Sequence, residues 1–229
     1  MKTKREIKYY ITKIIQQLFG YFSLKQDNQF FVFFVDIAQN VSKACDVLVD
    51  LIGNNCYQHD NQINNQIKSY HQRVAELHSS VLATLNICFI TPIDRGDIQG
   101  LSVLCLKLSK KIVRISYKIK IYSINCDNNN SLVSGLVLLQ NMAKMAVEMI
   151  SVLQEGKYSK ISYSDDYLHY FDENELDDFR YAIKNIYNHN SADLLNILRV
   201  REVYMALESA IETNRNILEL IMQIAVKAV

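Results

Sequence analysis

Two pairs of carboxylates, each four residues apart, are the clearest chemical signal in this sequence. Glu173 and Asp177 lie in ENELDDF, and Glu208 and Glu212 lie in ALESAIE. Four-residue spacing places both members of a pair on one face of a helix. Two such pairs on facing helices would supply oxygen ligands for a metal ion or a carboxylate-bridged metal pair, with iron, manganese, zinc and magnesium as the candidates. The alternative is that these acids decorate a solvated helix face.

The elements that would hold these acids are long helices. The 229 residues include only six glycines and one proline, whereas turn-rich β architectures need such residues at most corners. Pro92 ends one helix, and Asp94 follows where a carboxylate can cap the next. The apolar period predicts six helices, over residues 30–54, 58–87, 95–124, 131–155, 173–188 and 197–227.

An internal repeat organises these helices. When the chain is shifted by 102 residues, apolar positions coincide along three successive helices without a gap, as in Phe34 with Leu136 and Cys105 with Leu207. The predicted fold is therefore all-α, with six long helices in two tandem three-helix bundles, because short connections make neighbouring helices antiparallel. The predicted domains are a first repeat at 28–125 and a second at 130–229, preceded by a short amphipathic helix at 1–27 whose role is unassigned.

The repeat lets the first half serve as a control for the acidic pairs. Subtracting 102 from the four acids gives His71, Ala75, Leu106 and Lys110. A buried ammonium group beside a divalent cation is costly, so we expect no metal site in the first half. Any metal site therefore belongs to the second repeat, at Glu173, Asp177, Glu208 and Glu212.

Composition narrows the class of protein further. The net charge of +1 provides no global field for nucleic acid. Five widely spaced cysteines without a CxxC pair favour a reducing cytosol. No phosphate-binding loop, GxSxG or HExxH motif is present, so we predict that the protein is not an enzyme.

Two further groups of residues have alternative interpretations. His71 and His78 share a helix face, which could make them metal ligands. The better interpretation is that they are packed or solvent-exposed side chains. A basic segment could bind an acidic partner or phosphate groups, although a solvated helix face is the simpler interpretation. It comprises Lys107, Lys110, Lys111, Arg114, Lys118 and Lys120.

The stretch LNICFITPIDRGDIQGL closely resembles the signature that joins the second and third helices of the PhoU-like phosphate transport regulators. The segment ENELDDFRYAI and the C-terminal LRVREVYMALESAIETNRNILELIMQIAVKAV resemble the fifth and sixth helices of that family. The resemblance extends from about residue 28 to the C-terminus. It implies an all-helical fold of two three-helix bundles, and E(D)xxxD motifs that bind metal clusters.

The resemblance assigns Glu173 with Asp177 to one such motif and Glu208 with Glu212 to another, with Glu212 in place of the usual Asp. It also implies a cytoplasmic regulator or adaptor of an inorganic phosphate transporter, peripheral to the inner face of the membrane and homo-oligomeric. One alternative is a metal-free helical scaffold or oligomerisation module that has lost the metal sites. The least favoured is a carboxylate-metal enzyme, because no general base or phosphate loop accompanies the acids.

Overall fold

The computed structural model describes residues 29–51, 61–124, 130–162 and 194–228, together with Arg180, Tyr181 and Lys184. All regular structure in these residues is α-helical, with no strand among them, which confirms the predicted all-α class. The helices are α1 (29–51), α2 (Asn61–Ile87), α3 (Arg95–Tyr122), α4 (Asn130–Gln154), α5 (Tyr158–Ser162) and α6 (Leu194–Ala228).

The helix predicted at 95–124 agrees with α3 to within two residues at its end, and the prediction at 131–155 agrees with α4 to within one residue at each end. The short helix α5 was not predicted, because five residues are too few to show a period. The predicted helix at 173–188 lies outside the described residues except for Arg180, Tyr181 and Lys184, which are helical. The predicted N-terminal helix at 1–27 also lies outside them, and the proposed domain boundaries stay predictions.

The junction between α2 and α3 is built by side chains that satisfy both helix ends. The Asp94 carboxylate accepts hydrogen bonds from the backbone N–H groups of Gly96, at 2.7 Å, and Asp97, at 3.3 Å. Arg95 reaches back and donates to the carbonyls of Leu85 and Cys88 at the end of α2. The first contact confirms the predicted N-cap, and the second satisfies carbonyl groups that a helix end leaves without partners.

The 102-residue offset reappears in which side chains the fold buries. In α1 and α4, and again in α3 and α6, residues at matching positions are buried together. Matched buried pairs include Ile37 with Leu139, Leu48 with Ile150, Leu101 with Val203, Cys105 with Leu207, Ile115 with Ile217 and Ile119 with Ile221. Helices with the same buried stripe at the same register pack in the same way, so the repeat is a property of the structure as well as of the sequence.

The two halves meet along α3 and α6, which run antiparallel. Lys118 contacts Glu202, and a methyl carbon of Leu220 lies 3.4 Å from where a Cβ on Gly100 would stand. These two contacts are reciprocal, because Glu202 occupies the position of Gly100 in the repeat, and Leu220 that of Lys118. The halves are therefore related by an approximate two-fold axis across the α3–α6 interface.

Helix α4 is strongly apolar. Ser131–Gln154 is long enough to cross a membrane and contains an 18-residue window with a mean hydropathy of 1.5, and half of that window is buried inside the protein. Leu132, Leu136 and Met149 are among its buried residues, and α4 packs on α6. Burial within a bundle explains this hydropathy, since a core helix passes the same test of length and composition.

Candidate functional site

Two of the four predicted metal ligands, Glu208 and Glu212, are among the described residues, and they lie one turn apart on α6. Glu208 is about one-third exposed and its Oε1 lies 3.6 Å from the Nε of Arg180. Glu212 is more exposed and its Oε2 lies 4.0 Å from an Nη of Arg215. The ammonium group of Lys111 is also close enough to interact electrostatically with Glu212. Each of the two carboxylates therefore faces a cationic side chain.

This arrangement bears directly on the predicted metal site. Arg180 corresponds to His78 in the first repeat and forms an ion pair with Glu208. Both arginine–glutamate contacts are long and partly exposed, so they place positive charge beside the acids without excluding a metal ion. The other two predicted ligands, Glu173 and Asp177, lie outside the described residues. Among the described residues, no group of three or more His, Cys, Asp and Glu side chains is placed to hold a metal.

At the corresponding place in the first repeat, α2 and α3 are joined by histidine–serine hydrogen bonds. The Nδ1 of His71 lies 2.8 Å from the Oγ of Ser109, and the Nδ1 of His78 lies 3.1 Å from the Oγ of Ser102. Each serine hydroxyl donates to the carbonyl three residues earlier in α3. The Oγ atoms are therefore acceptors for the ring N–H groups, so both histidines take part in the packing of α2 against α3.

The surroundings of these histidines favour the neutral imidazole. Burial lowers the pKa of His71, and the nearby ammonium of Lys110 lowers it further. Burial also lowers the pKa of His78. Lys110, which corresponds to Glu212 in the second repeat, thus disfavours the protonated form of His71.

The buried serines of α3 were not predicted from the sequence, although their regular spacing is visible in it. Ser102, Ser109 and Ser116 are seven residues apart and fully or almost fully buried, and Asn64 lies seven residues before His71 and is also buried. Seven-residue spacing on both helices marks a polar seam between them. In the second repeat the serine positions are filled by large buried side chains: Tyr204, Ile211 and Leu218.

The structure divides five of the six residues of the basic segment of α3 into two groups. Lys111 donates to the carbonyl and hydroxyl oxygens of Ser209, each at 2.8 Å, and Lys118 pairs with Glu202. These two lysines belong to the interface with α6. The exposed side chains of Lys107, Lys110 and Arg114 have no ion-pair partner within the described part of the chain.

The cysteines of the described residues are unreactive core side chains. Cys45, Cys88 and Cys105 are buried free thiols. Burial raises the pKa of Cys45 and raises that of Cys105 to about 12, so the thiols of Cys45 and Cys105 stay protonated and poorly nucleophilic near neutral pH. Cys56 and Cys126 lie outside the described residues.

The fold defines a class: a helical bundle of two related halves, with histidine–serine hydrogen bonds between α2 and α3 in the first half. Comparison with solved structures finds the same architecture in the crystal structure of a PhoU-like protein from Shewanella oneidensis MR-1. The TM-score is 0.74 at 13% sequence identity, over 86% of this chain and 99% of that one. No family model and no curated protein matches the sequence. The similarity establishes the PhoU-like fold.

Proposed function

We propose that this protein is a non-enzymatic regulator or adaptor of inorganic phosphate transport, acting in the cytoplasm at the inner face of the membrane. The observation that carries the proposal is the PhoU-like fold, which matches along nearly the whole length of the neighbouring structure. The sequence signature around Pro92, now seen as a capped junction between α2 and α3, supports it. The protein's partner in this role is a membrane-embedded phosphate transporter.

The direct test is phosphate uptake in cells that encode this chain. Deletion of the gene should change the rate of radiolabelled phosphate uptake, or its repression when phosphate is plentiful, and a plasmid copy should restore the original behaviour. A matched uptake measurement with a sugar substrate controls for general effects on the membrane. Unchanged phosphate uptake and repression in the deletion strain would contradict the proposed role.

The second candidate function is a metal-free helical scaffold or oligomerisation module. Two observations favour it: the first repeat has His71 and Lys110 where carboxylates would be needed, and Glu208 and Glu212 of the second repeat face arginines. If a metal does bind, Glu173, Asp177, Glu208 and Glu212 are the residues that would hold it. Such a metal would supply a fixed positive charge within the bundle and link the two helices.

Elemental mass spectrometry separates these two candidates. Untagged protein purified without chelator should be compared with a Glu173→Ala/Glu208→Ala variant, and both should be reconstituted with iron, manganese, zinc and magnesium in turn. Near-stoichiometric metal that the double variant loses would support a metal-binding regulator. Wild-type protein that stays empty after reconstitution would support the scaffold.

A further inference from the structure

Helix α3 carries a straight stripe of side chains that the rest of the bundle leaves uncovered. The stripe consists of Val103, Lys107, Lys110, Arg114, Tyr117 and Ile121, and we call it the α3 stripe. Its members are separated by alternating intervals of four and three residues. Val103 is half-buried and the other five are exposed. At 1.5 Å per residue the stripe runs for about 27 Å along one side of the helix.

The α3 stripe lies on the exposed side of α3, and its intervals of four and three are those of any straight line along an α-helix. Two other faces of α3 make contacts within the described residues. Ser102 and Ser109 contact α2, and Lys111 and Lys118 contact α6. Exposure and charge, rather than spacing, therefore distinguish the stripe.

The charge on the α3 stripe is unbalanced. Lys107, Lys110 and Arg114 are one turn apart and repel one another, and none has an ion-pair partner in the residues described. Burial lowers the pKa of neighbouring Lys111. Lys107 and Arg114 lower this pKa further, and Glu212 has the opposite effect. Like charges at this spacing destabilise an isolated helix, so the protein alone bears a cost that an anionic partner would relieve.

The cations occupy the middle of the stripe, and apolar groups lie toward its ends. Tyr117 is 38% and Ile121 70% exposed at the C-terminal end, and Val103 lies at the other. A complementary helix would carry acidic residues opposite the three cations and apolar residues opposite the ends. This is the pattern of an amphipathic helix docked along a groove.

We infer that the α3 stripe is the docking surface for an acidic amphipathic helix of a partner protein. The inference rests on the proposed adaptor role and adds the chemistry of the partner. A flat anionic membrane or a nucleic acid fits less well, because Glu212 and Glu202 on α6 lie beside the basic residues of α3 and would repel phosphate groups. An acidic helix, being about 10 Å wide, can lie along the stripe alone.

A designed peptide tests this inference on the full-length protein. The probe is a fluorescent helical peptide of about 24 residues, with one stripe that reads Leu, Glu, Glu, Glu, Leu, Leu at intervals of four and three. A control peptide has the same composition with its glutamates moved to the opposite face. Fluorescence anisotropy should show binding of the first peptide at least about tenfold tighter than of the second, weakening as salt rises.

Charge reversal on the protein locates the binding site. The variant Lys107→Glu/Lys110→Glu/Arg114→Glu should bind the designed peptide at least about tenfold more weakly than the wild type. The matched control, Lys43→Glu/Lys160→Glu/Arg199→Glu, makes the same change in net charge at exposed positions elsewhere and should keep affinity within about twofold. If circular dichroism shows that the reversal variant is unfolded, the Lys107→Gln/Lys110→Gln/Arg114→Gln variant replaces it.

Several results would overturn the inference. Equal binding of both peptides would show that the arrangement of glutamates along the stripe does not matter. Equal loss of affinity in both triple variants would show that binding depends on net charge alone. Selective binding to phosphatidylserine vesicles or duplex DNA through the three cations would assign the surface to those partners instead. Self-association that the stripe variant abolishes would assign it to a second copy. None of these results bears on phosphate uptake, so failure here leaves the proposed function to its own test.

Discussion

Lys111 and Thr213 occupy the same position in the two repeats, and they are hydrogen-bonded to each other. The lysine Nζ lies 2.5 Å from the threonine Oγ1, across the α3–α6 interface, and the two residues are 102 positions apart. In a two-fold arrangement, only residues next to the axis can contact their own counterparts. This pair therefore marks the axis that relates the two halves.

Replacement of Lys111 by methionine should destabilise the interface between the halves. The variant loses hydrogen bonds to Ser209 and Thr213, and we expect the free energy of unfolding to fall by about 1 kcal/mol. Burial of the Lys111 ammonium lowers its pKa and costs desolvation free energy. This penalty offsets part of the stabilisation from its hydrogen bonds. Urea unfolding measures the change. The control is Lys110→Met, on the exposed face of the same helix, and an equal effect of both variants would contradict the assignment.

The stability of the first repeat should depend on pH through His71 and His78. Both folded-state pKa values lie below the ordinary value, so the unfolded chain binds more protons in the window just below pH 6.5. Stability is fully present above that value and falls as the pH drops through the window. Urea unfolding between about pH 5.5 and 7.5 should show this slope.

The variant His71→Gln/His78→Gln separates these histidines from other titrating groups. It should flatten the slope between pH 5.5 and 7.5, because glutamine does not titrate, while amide groups retain hydrogen-bonding capacity toward Ser109 and Ser102. An unchanged slope in the double variant would assign the pH dependence to groups outside the α2–α3 seam.

Asn214 is a buried polar residue at a position where the first repeat has an isoleucine. Its Nδ2 donates to the Leu139 carbonyl at 3.3 Å, and its buried Oδ1 has no partner. The equivalent residue, Ile112, is fully buried. Because an unsatisfied buried acceptor is costly, we expect Asn214→Leu to be neutral or to stabilise the protein by about 1 kcal/mol.

The converse substitution provides the internal control for Asn214. Ile112→Asn buries a new polar group at the matching site and should destabilise the protein by about 3 kcal/mol, measured in the same thermal or urea unfolding experiment. If Asn214→Leu proves as damaging as Ile112→Asn, the Asn214 side chain makes an essential interaction that its one hydrogen bond does not explain.

The cap at the start of α3 should contribute separately to stability. Asp94→Ala removes the acceptor of two backbone N–H groups and should cost about 1 kcal/mol, seen as a lower urea midpoint. Asp94→Asn keeps an acceptor oxygen and should recover most of the loss. Equal destabilisation by both variants would point to the charge of Asp94, rather than its capping, as the stabilising feature.

Much of the fold could be predicted because helix period and helix ends are local properties. Asp94 and Pro92 mark the α2–α3 junction by residue type alone, and Leu101 and Val203 are buried at the repeat spacing. Which helices of the two halves meet is a long-range property. The sequence does not indicate that Lys111 and Thr213 are in contact, because a lysine on a helix usually faces solvent.

The candidate site was less predictable for a related reason. The spacing of Glu208 and Glu212 correctly puts them on one face of α6, but spacing cannot reveal which cations approach from other turns and helices. Arg180 and Arg215 alter the chemistry of that face by pairing with the acids. The serines that contact His71 and His78 were not predicted, although their seven-residue interval is visible in the sequence.

The approximate two-fold axis has a consequence for how such a protein can evolve. If two identical half-chains assembled with this geometry, the residue at the axis would face its own copy, and a lysine there would meet a lysine. Fusion of the halves into one polypeptide removes that constraint, since the two positions can then mutate independently. The fused chain has Lys111 opposite Thr213, and a basic α3 beside an α6 that carries carboxylates. A homodimer of identical halves could have neither asymmetry.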